Sequence, residues 1–214
     1  MKITKIIKYV ASFLGILVPM FFGFAVWEKL PEKIPIHYNF KGVPDNFADK
    51  WVGVVILPIA LCFVQILCLA LSRIIDKRHF YGMGAVLMIC PFVSILVSMP
   101  IYMTSFGKDY DMATLILCGI GLLFAVIGNI LPKVSRNKVM GIKLPWTLKS
   151  DVVWNKTHRL SGFLWFFGGL LIAVSAFLPD LARIILSSCI FVAMIAVPTV
   201  YSAVIFKKEK EKIE

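Results

Sequence analysis

Residues 112–133 read MATLILCGIGLLFAVIGNILPK, a run with no charge between Asp111 and Lys133. A helix needs about 20 such residues to cross the ~30 Å hydrocarbon core of a bilayer. Backbone exposed to lipid finds no partners there, so a crossing segment closes its hydrogen bonds on itself as a helix. Working outward, five more uncharged intervals of similar length appear: between Lys8 and Glu28, Lys50 and Arg73, His79 and Lys108, Arg159 and Asp180, and Arg183 and Lys207. The whole chain, 214 residues, is 59% hydrophobic and 16% charged, with a mean hydropathy of +0.86. That is far more apolar than a water-soluble domain of this size. The expectation is an all-α, polytopic membrane protein with six transmembrane helices.

The net charge of +11 raises the question of nucleic acid, but its distribution answers otherwise. With the N-terminus inside the cell, 17 of the 23 basic residues fall in inner segments and six in outer ones. This is the positive-inside bias, and it predicts cytoplasmic N- and C-termini in a multi-pass membrane protein. Anionic membrane lipids are the expected contact of the surplus, and direct nucleic-acid binding is not expected because no such module is visible. The five cysteines, Cys62, Cys68, Cys90, Cys118 and Cys189, all fall in expected spans. They read as buried thiols, with no disulfide framework or metal spacing. The first span is long and lacks a small-residue cleavage site before Trp27-Glu28, so it reads as a retained anchor.

Aromatic residues such as Tyr9, Trp27, Trp51, Tyr81, Tyr110 and Trp165 mark span ends, as rings favour the headgroup zone. Prolines at 19, 58, 91, 100 and 198 lie inside spans, where each removes a helical hydrogen bond and permits a kink. Gly119, Gly121 and Gly128 in the fourth span, with Gly168 and Gly169 in the fifth, would let those two helices approach closely. Such small-residue faces would serve homo-oligomerisation as well as internal packing, and the sequence leaves both open.

Two connections are too rich to be plain links. The extracellular loop 28–52 contains LPEKIPIHYNFKGVPDNFADKW, in which Ile34, Ile36, Tyr38 and Phe40 alternate at period two before turn signals at Lys41-Gly42 and Pro44-Asp45. That pattern predicts a short extended segment and a folded-back, hairpin-like loop. A cap on the helix ends and a ligand surface are both open readings of it. The cytoplasmic loop 132–161 includes Val139–Gly162, VMGIKLPWTLKSDVVWNKTHRLSG. Pro145 keeps Leu144 out of helical geometry, and Ser150 or Thr147 can cap a helix starting near Asp151. Trp154, His158 and Trp165 then share one face, which predicts a short amphipathic interfacial helix with tryptophan in the headgroups, turning into the fifth span.

No Asp, Glu, Lys, Arg or His lies inside any of the six intervals, which counts against an ion-coupled transporter. His37, His79 and His158 sit in different loops, and no HExxH, nucleophile pair or carboxylate pair is visible. The expectation is no enzyme, no metal and no cofactor. His158 reads as a hydrogen-bond donor whose chemistry would also permit pH sensing.

Three ordered motifs, Asn129 to Lys133, Gly141 to Leu148 and Val153 to Arg159, together resemble the signature of the SdpI family of bacterial six-helix membrane proteins. The stretch Leu30-Pro31, Ile34 to Phe40, Gly42 and Pro44-Asp45 resembles the N-terminal domain of unknown function typical of that family. Lys143-Leu144 stands where the family pattern has Arg-Thr, so no threonine hydroxyl at 144 enters the reading.

The resemblance implies a two-helix region at 1–80 and a four-helix region at 81–214. It implies partner or signalling roles for Asn129, Pro132, Lys133, Gly141, Pro145, Trp146, Thr147, Trp154, Thr157, His158 and Arg159, and a ligand-facing set of Pro35, His37, Tyr38, Asn39, Phe40, Gly42, Pro44 and Asp45. It further implies immunity to a secreted antimicrobial peptide toxin, and sequestration of a cytosolic transcriptional repressor at the membrane. The alternative reading is a transporter or permease of peptide or lipid.

Overall fold

The computed structural model describes residues 2–39, 41–74, 83–107, 110–138 and 140–211. Among these, six helices are long and apolar enough to cross a membrane: α1 (Lys2–Ala25), α2 (Leu57–Ile74), α3 (Met83–Ser105), α4 (Met112–Ile130), α5 (Asp151–Ser175) and α6 (Asp180–Lys210). The chain is a multi-pass membrane protein. A two-stranded antiparallel hairpin, β1 (Lys33–Tyr38) and β2 (Pro44–Asp49), stands between α1 and α2. The chain divides into two compact units, residues 1–70 with 86–119, and residues 71–85 with 120–214.

In the first unit α1 and α3 run parallel, because their hydrogen-bonded partners ascend together. Ser12 Oγ donates to the Leu87 carbonyl (2.7 Å), Ser94 Oγ to Ile16 (2.8 Å) and Tyr102 Oη to Pro19 (2.6 Å). Gln65 of α2 joins this row by donating to Ser12 Oγ at 3.3 Å. The first bond has a specific cause. Pro91 has no N–H to offer the Leu87 carbonyl four residues back, and in lipid that carbonyl must find another donor. Pro58 acts differently. It leaves the Val54 carbonyl without a helical donor, and residues Val52–Ile56 open into a π-helical turn leading into α2.

The hairpin is rooted in this unit. Ile34 of β1 is wholly buried in a cluster with Leu30, Val54, Ile101 and Tyr102. A methyl group on Gly53 would sit 2.8 Å from the Ile34 side chain, so the π turn offers β1 a smooth seat. The hairpin thus caps the C-terminal ends of α1 and α3 and the N-terminal ends of α2 and α4.

In the second unit the latter half of α4 packs on α5 backbone to backbone. A Cβ on Gly121 would lie 2.6 Å from the Ala173 amide, and one on Gly128 would overlap the Phe166 amide. The other three glycines of the expected pattern divide their contacts. Gly169 also meets α4, at Ala125, whereas Gly119 lies on Leu96 of α3 and Gly168 on Met194 of α6. Helices α5 and α6 are antiparallel partners, with Phe124 and Trp165 in an edge contact beside them at 5.3 Å.

Two expectations need correction here. The segment from Asp151 is not a separate interfacial helix; one uninterrupted helix runs to Ser175, since nothing between Lys156 and Phe166 breaks its hydrogen-bond ladder. Helix α6 begins at Asp180 rather than beyond Arg183, so Arg183 is a buried first-turn residue, donating to Asp180 Oδ1 at 2.6 Å. Consequently Lys156, His158, Arg159 and Arg183 stand on membrane-length helices that the interval count left uncharged.

Candidate functional site

The hairpin's tip is built by Asn39. Its Oδ1 accepts from the amides of Lys41 (2.9 Å) and Val43 (3.1 Å), and its carbonyl accepts from Gly42. Gly42 has φ +74°, and a Cβ there would lie 2.6 Å from the Ala113 amide, so glycine is required both for the turn and for the approach to α4. Tyr38 is half-buried and donates to Thr104 Oγ1 of α3 at 3.0 Å. Burial raises its phenol above the ordinary range, and the Thr104 bond offsets part of that rise.

His37 and Asp45 meet at 2.6 Å on the exposed side, across a bulged stretch of ladder. Pro35 is buried in β1 and Pro44 opens β2, while Phe40 lies outside the described residues. The expected ligand-facing set therefore divides. His37 and Asp45 face outward, whereas Pro35, Tyr38, Asn39 and Gly42 hold the hairpin in shape and place.

The second region is the connection between α4 and α5. Trp154 and His158, one turn apart on α5, stack with ring centroids 4.0 Å apart and planes 18° from parallel. Both are fully buried, which corrects the expectation of tryptophan in the headgroups. Helical spacing puts them on one face; the connecting loop turns that face inward, because both rings supply partners that the loop backbone lacks. Trp154 Nε1 donates to the Val134 carbonyl at 2.7 Å. The Ile142 amide donates to His158 Nε2 at 3.0 Å, while His158 Nδ1 lies 2.9 Å from the Trp154 carbonyl. An amide can only donate and a carbonyl can only accept, so the proton sits on Nδ1 and the ring is the neutral tautomer with both nitrogens engaged. Gly141, φ +116°, passes against the stack: its Cβ would overlap His158 Nε2 and lie 2.9 Å from the Trp154 ring.

Around this stack, Thr147 closes the turn by donating to the Ile142 carbonyl and accepting from the Leu144 amide. Ser150 caps α5 through the Val153 amide and donates to Glu209 of α6 at 2.5 Å. Trp146 donates its indole N–H to Ser202 of α6 at 2.8 Å. Arg136 bridges Asp151 and the Leu148 carbonyl, each at 2.7 Å. Sequence reasoning passed over Arg136, Ser202 and Glu209. Only the folding of α6 beside the loop brings the latter two there.

Pro132 packs against Gly162, and the Thr157 carbonyl accepts from Ser161. Asn129, Pro132, Lys133, Pro145 and Arg159 are exposed. The buried members shape the loop, and the exposed ones lie at the surface.

No group of three or more His, Cys, Asp or Glu that could hold a metal occurs among the described residues. Six membrane-length helices, a rooted hairpin and a loop locked on a Trp-His stack define a polytopic membrane protein whose polar features are concentrated in two connections. Residues 133–202 match the SdpI/YfhL protein family, and residues 14–61 match a domain of unknown function, DUF1648. The chain is also 20% identical over 205 residues to the immunity protein SdpI of Bacillus subtilis (strain 168), covering 94% of this chain and 97% of that protein. The resemblance to the SdpI family read from the motifs is thus matched by both comparisons. No solved structure matches the chain.

Proposed function

We propose that this chain is a membrane immunity and signalling protein that protects its host from a secreted antimicrobial peptide and reports the encounter to a cytosolic repressor. The observation that carries the reading is the extent of the similarity to an immunity protein: it runs through nearly all of both chains, hairpin and loop included. With the termini inside, as the basic-residue bias directs, the hairpin meets the peptide and the loop 132–161 meets the partner. His37, Asp45 and neighbouring exposed side chains contact the peptide. Lys133, Pro145 and Arg159, carried on the locked loop, contact the repressor, while Trp154 and His158 hold the loop's shape rather than touch a partner. No catalytic step is involved. A ligand moves such a system only through different affinities for two arrangements.

The test is expression of the gene in a host sensitive to the cognate peptide. Survival that depends on the protein supports immunity, and equal killing with and without it rejects the reading. Peptide efflux from proteoliposomes would favour a transporter instead. For signalling, Lys133 and Arg159 are replaced by alanine. Protection retained with repressor recruitment lost is the expected result, and recruitment unchanged removes the loop as the reporter.

A further inference from the structure

In the first unit a cavity of about 470 Å³ lies between α1 and α3, a size within the roughly 300–1,000 Å³ of small-ligand sites. Its walls include Val18, Phe22, Ile95, Ser98, Met99 and Phe106. It follows α3 from Ile95 to Phe106, which is about 16 Å at ~1.5 Å per residue. That length is close to half of the ~30 Å hydrocarbon core, the depth of one leaflet. Tyr110 lies at its outer end, where an aromatic ring marks the headgroup boundary.

We propose that this cavity binds one acyl chain of a membrane phospholipid. Val18, Phe22, Ile95 and Met99 are exposed apolar residues of two membrane-crossing helices, so the cavity is continuous with the surface that already meets the bilayer. Lipid chains are the solvent at that surface and reach the opening without crossing any polar barrier. Met99 and Met103 supply flexible, polarisable walls that adapt to a chain of variable conformation. The lining offers no charge, which disfavours any ligand whose polar part must enter.

Ser98 is the informative exception. It is buried in the wall, and its Oγ has no hydrogen-bond partner among the described residues. That oxygen is covered by protein, so Ser98 presents no polar atom to an occupant, in keeping with a hydrocarbon ligand. The chain also has a route to the hairpin, since Thr104, which holds Tyr38, lies between the lining residues Met103 and Phe106.

The test reconstitutes the full chain in phosphatidylcholine vesicles containing a trace of phosphatidylcholine with a mid-chain diazirine, followed by photolysis and peptide mapping. Met99 and Met103 are expected to be labelled well above Phe63, an exposed apolar residue of α2. Ser98→Phe, which fills the cavity, is expected to lower that labelling about tenfold, the ratio set by ~1.4 kcal/mol. Should Ser98→Phe fail to fold, Met99→Trp with readout at Met103 and Phe106 takes its place.

Labelling at Met99 and Met103 no higher than at Phe63, or unchanged by filling, means ordinary annular contact and overturns the proposal. Ser98→Ala is expected to leave labelling equal or higher. A loss with alanine would show an occupant hydrogen-bonded to the hydroxyl, and the acyl chain would be the wrong ligand.

Discussion

Trp165 donates its indole N–H to the Met194 carbonyl at 3.0 Å. Met194 is four residues before Pro198, so this is the carbonyl that the proline leaves without its helical donor. The same arrangement joins Ser12 to Leu87, four residues before Pro91. These prolines do not loosen their helices. Each stands at a place where a neighbouring side chain takes over the missing bond, which ties the neighbour's position to the proline.

Trp165→Phe should therefore destabilise the protein by about 1–3 kcal/mol, the cost of a buried group left unpaired. Pro198→Ala restores the backbone donor, so in that background the same change should cost less by roughly 0.5 kcal/mol or more. A double-mutant cycle of thermal unfolding in detergent reads the coupling, and strictly additive effects would refute the link.

Gly141→Ala should disorder the loop more than Gly107→Ala. Both glycines have positive φ, but a methyl at 141 would overlap the His158 ring while one at 107 has nothing within 4 Å. The 107 variant should lose only about 1 kcal/mol, the cost of a left-handed alanine, and the 141 variant clearly more. Near-ultraviolet circular dichroism of the buried Trp154 reports the loop, and equal spectra for the two variants would contradict this account.

His158→Phe keeps a ring for Trp154 to stack on but cannot accept from Ile142 or donate to the Trp154 carbonyl. The loss of two bonds, one leaving the loop amide unpaired, predicts about 1–3 kcal/mol of destabilisation. Hydrogen exchange at the Ile142 amide should accelerate in this variant; unchanged protection would mean that the histidine does not hold the loop.

Tyr38 carries a pH dependence whose sign follows from its burial. Its phenol is raised in the folded state, so on alkalinisation the unfolded chain releases this proton first, around the ordinary phenol value of 10.0. The stability contributed by the docked tyrosine is whole below that pH. It falls as pH rises from there through the higher folded value. Subtracting the ultraviolet titration of Tyr38→Phe from that of the unsubstituted protein isolates this phenol. A midpoint at or below 10.0 in the difference curve would contradict the burial of its ring.

The number of crossings was legible in the residues, because uncharged runs of membrane length have no other stable form in hydrocarbon. The hairpin was legible in the alternation from Ile34 to Tyr38 and in the glycine at 42, and the start of α5 in Ser150 and Asp151, since strand period, turn and cap are local chemistry. Helical spacing also put Trp154 and His158 on one face. It could not say which way that face looks, because a tryptophan facing headgroups and one facing protein have the same period.

Only the tertiary structure decided that both rings turn inward on Val134 and Ile142, that Arg183 is buried, and that the carbonyls freed by Pro91 and Pro198 meet Ser12 and Trp165. The hydrogen bonds of the two rings to Val134 and Ile142, and those of the freed carbonyls, join partners between 16 and 75 positions apart in the chain, and a local pattern carries no information about what will be brought alongside it.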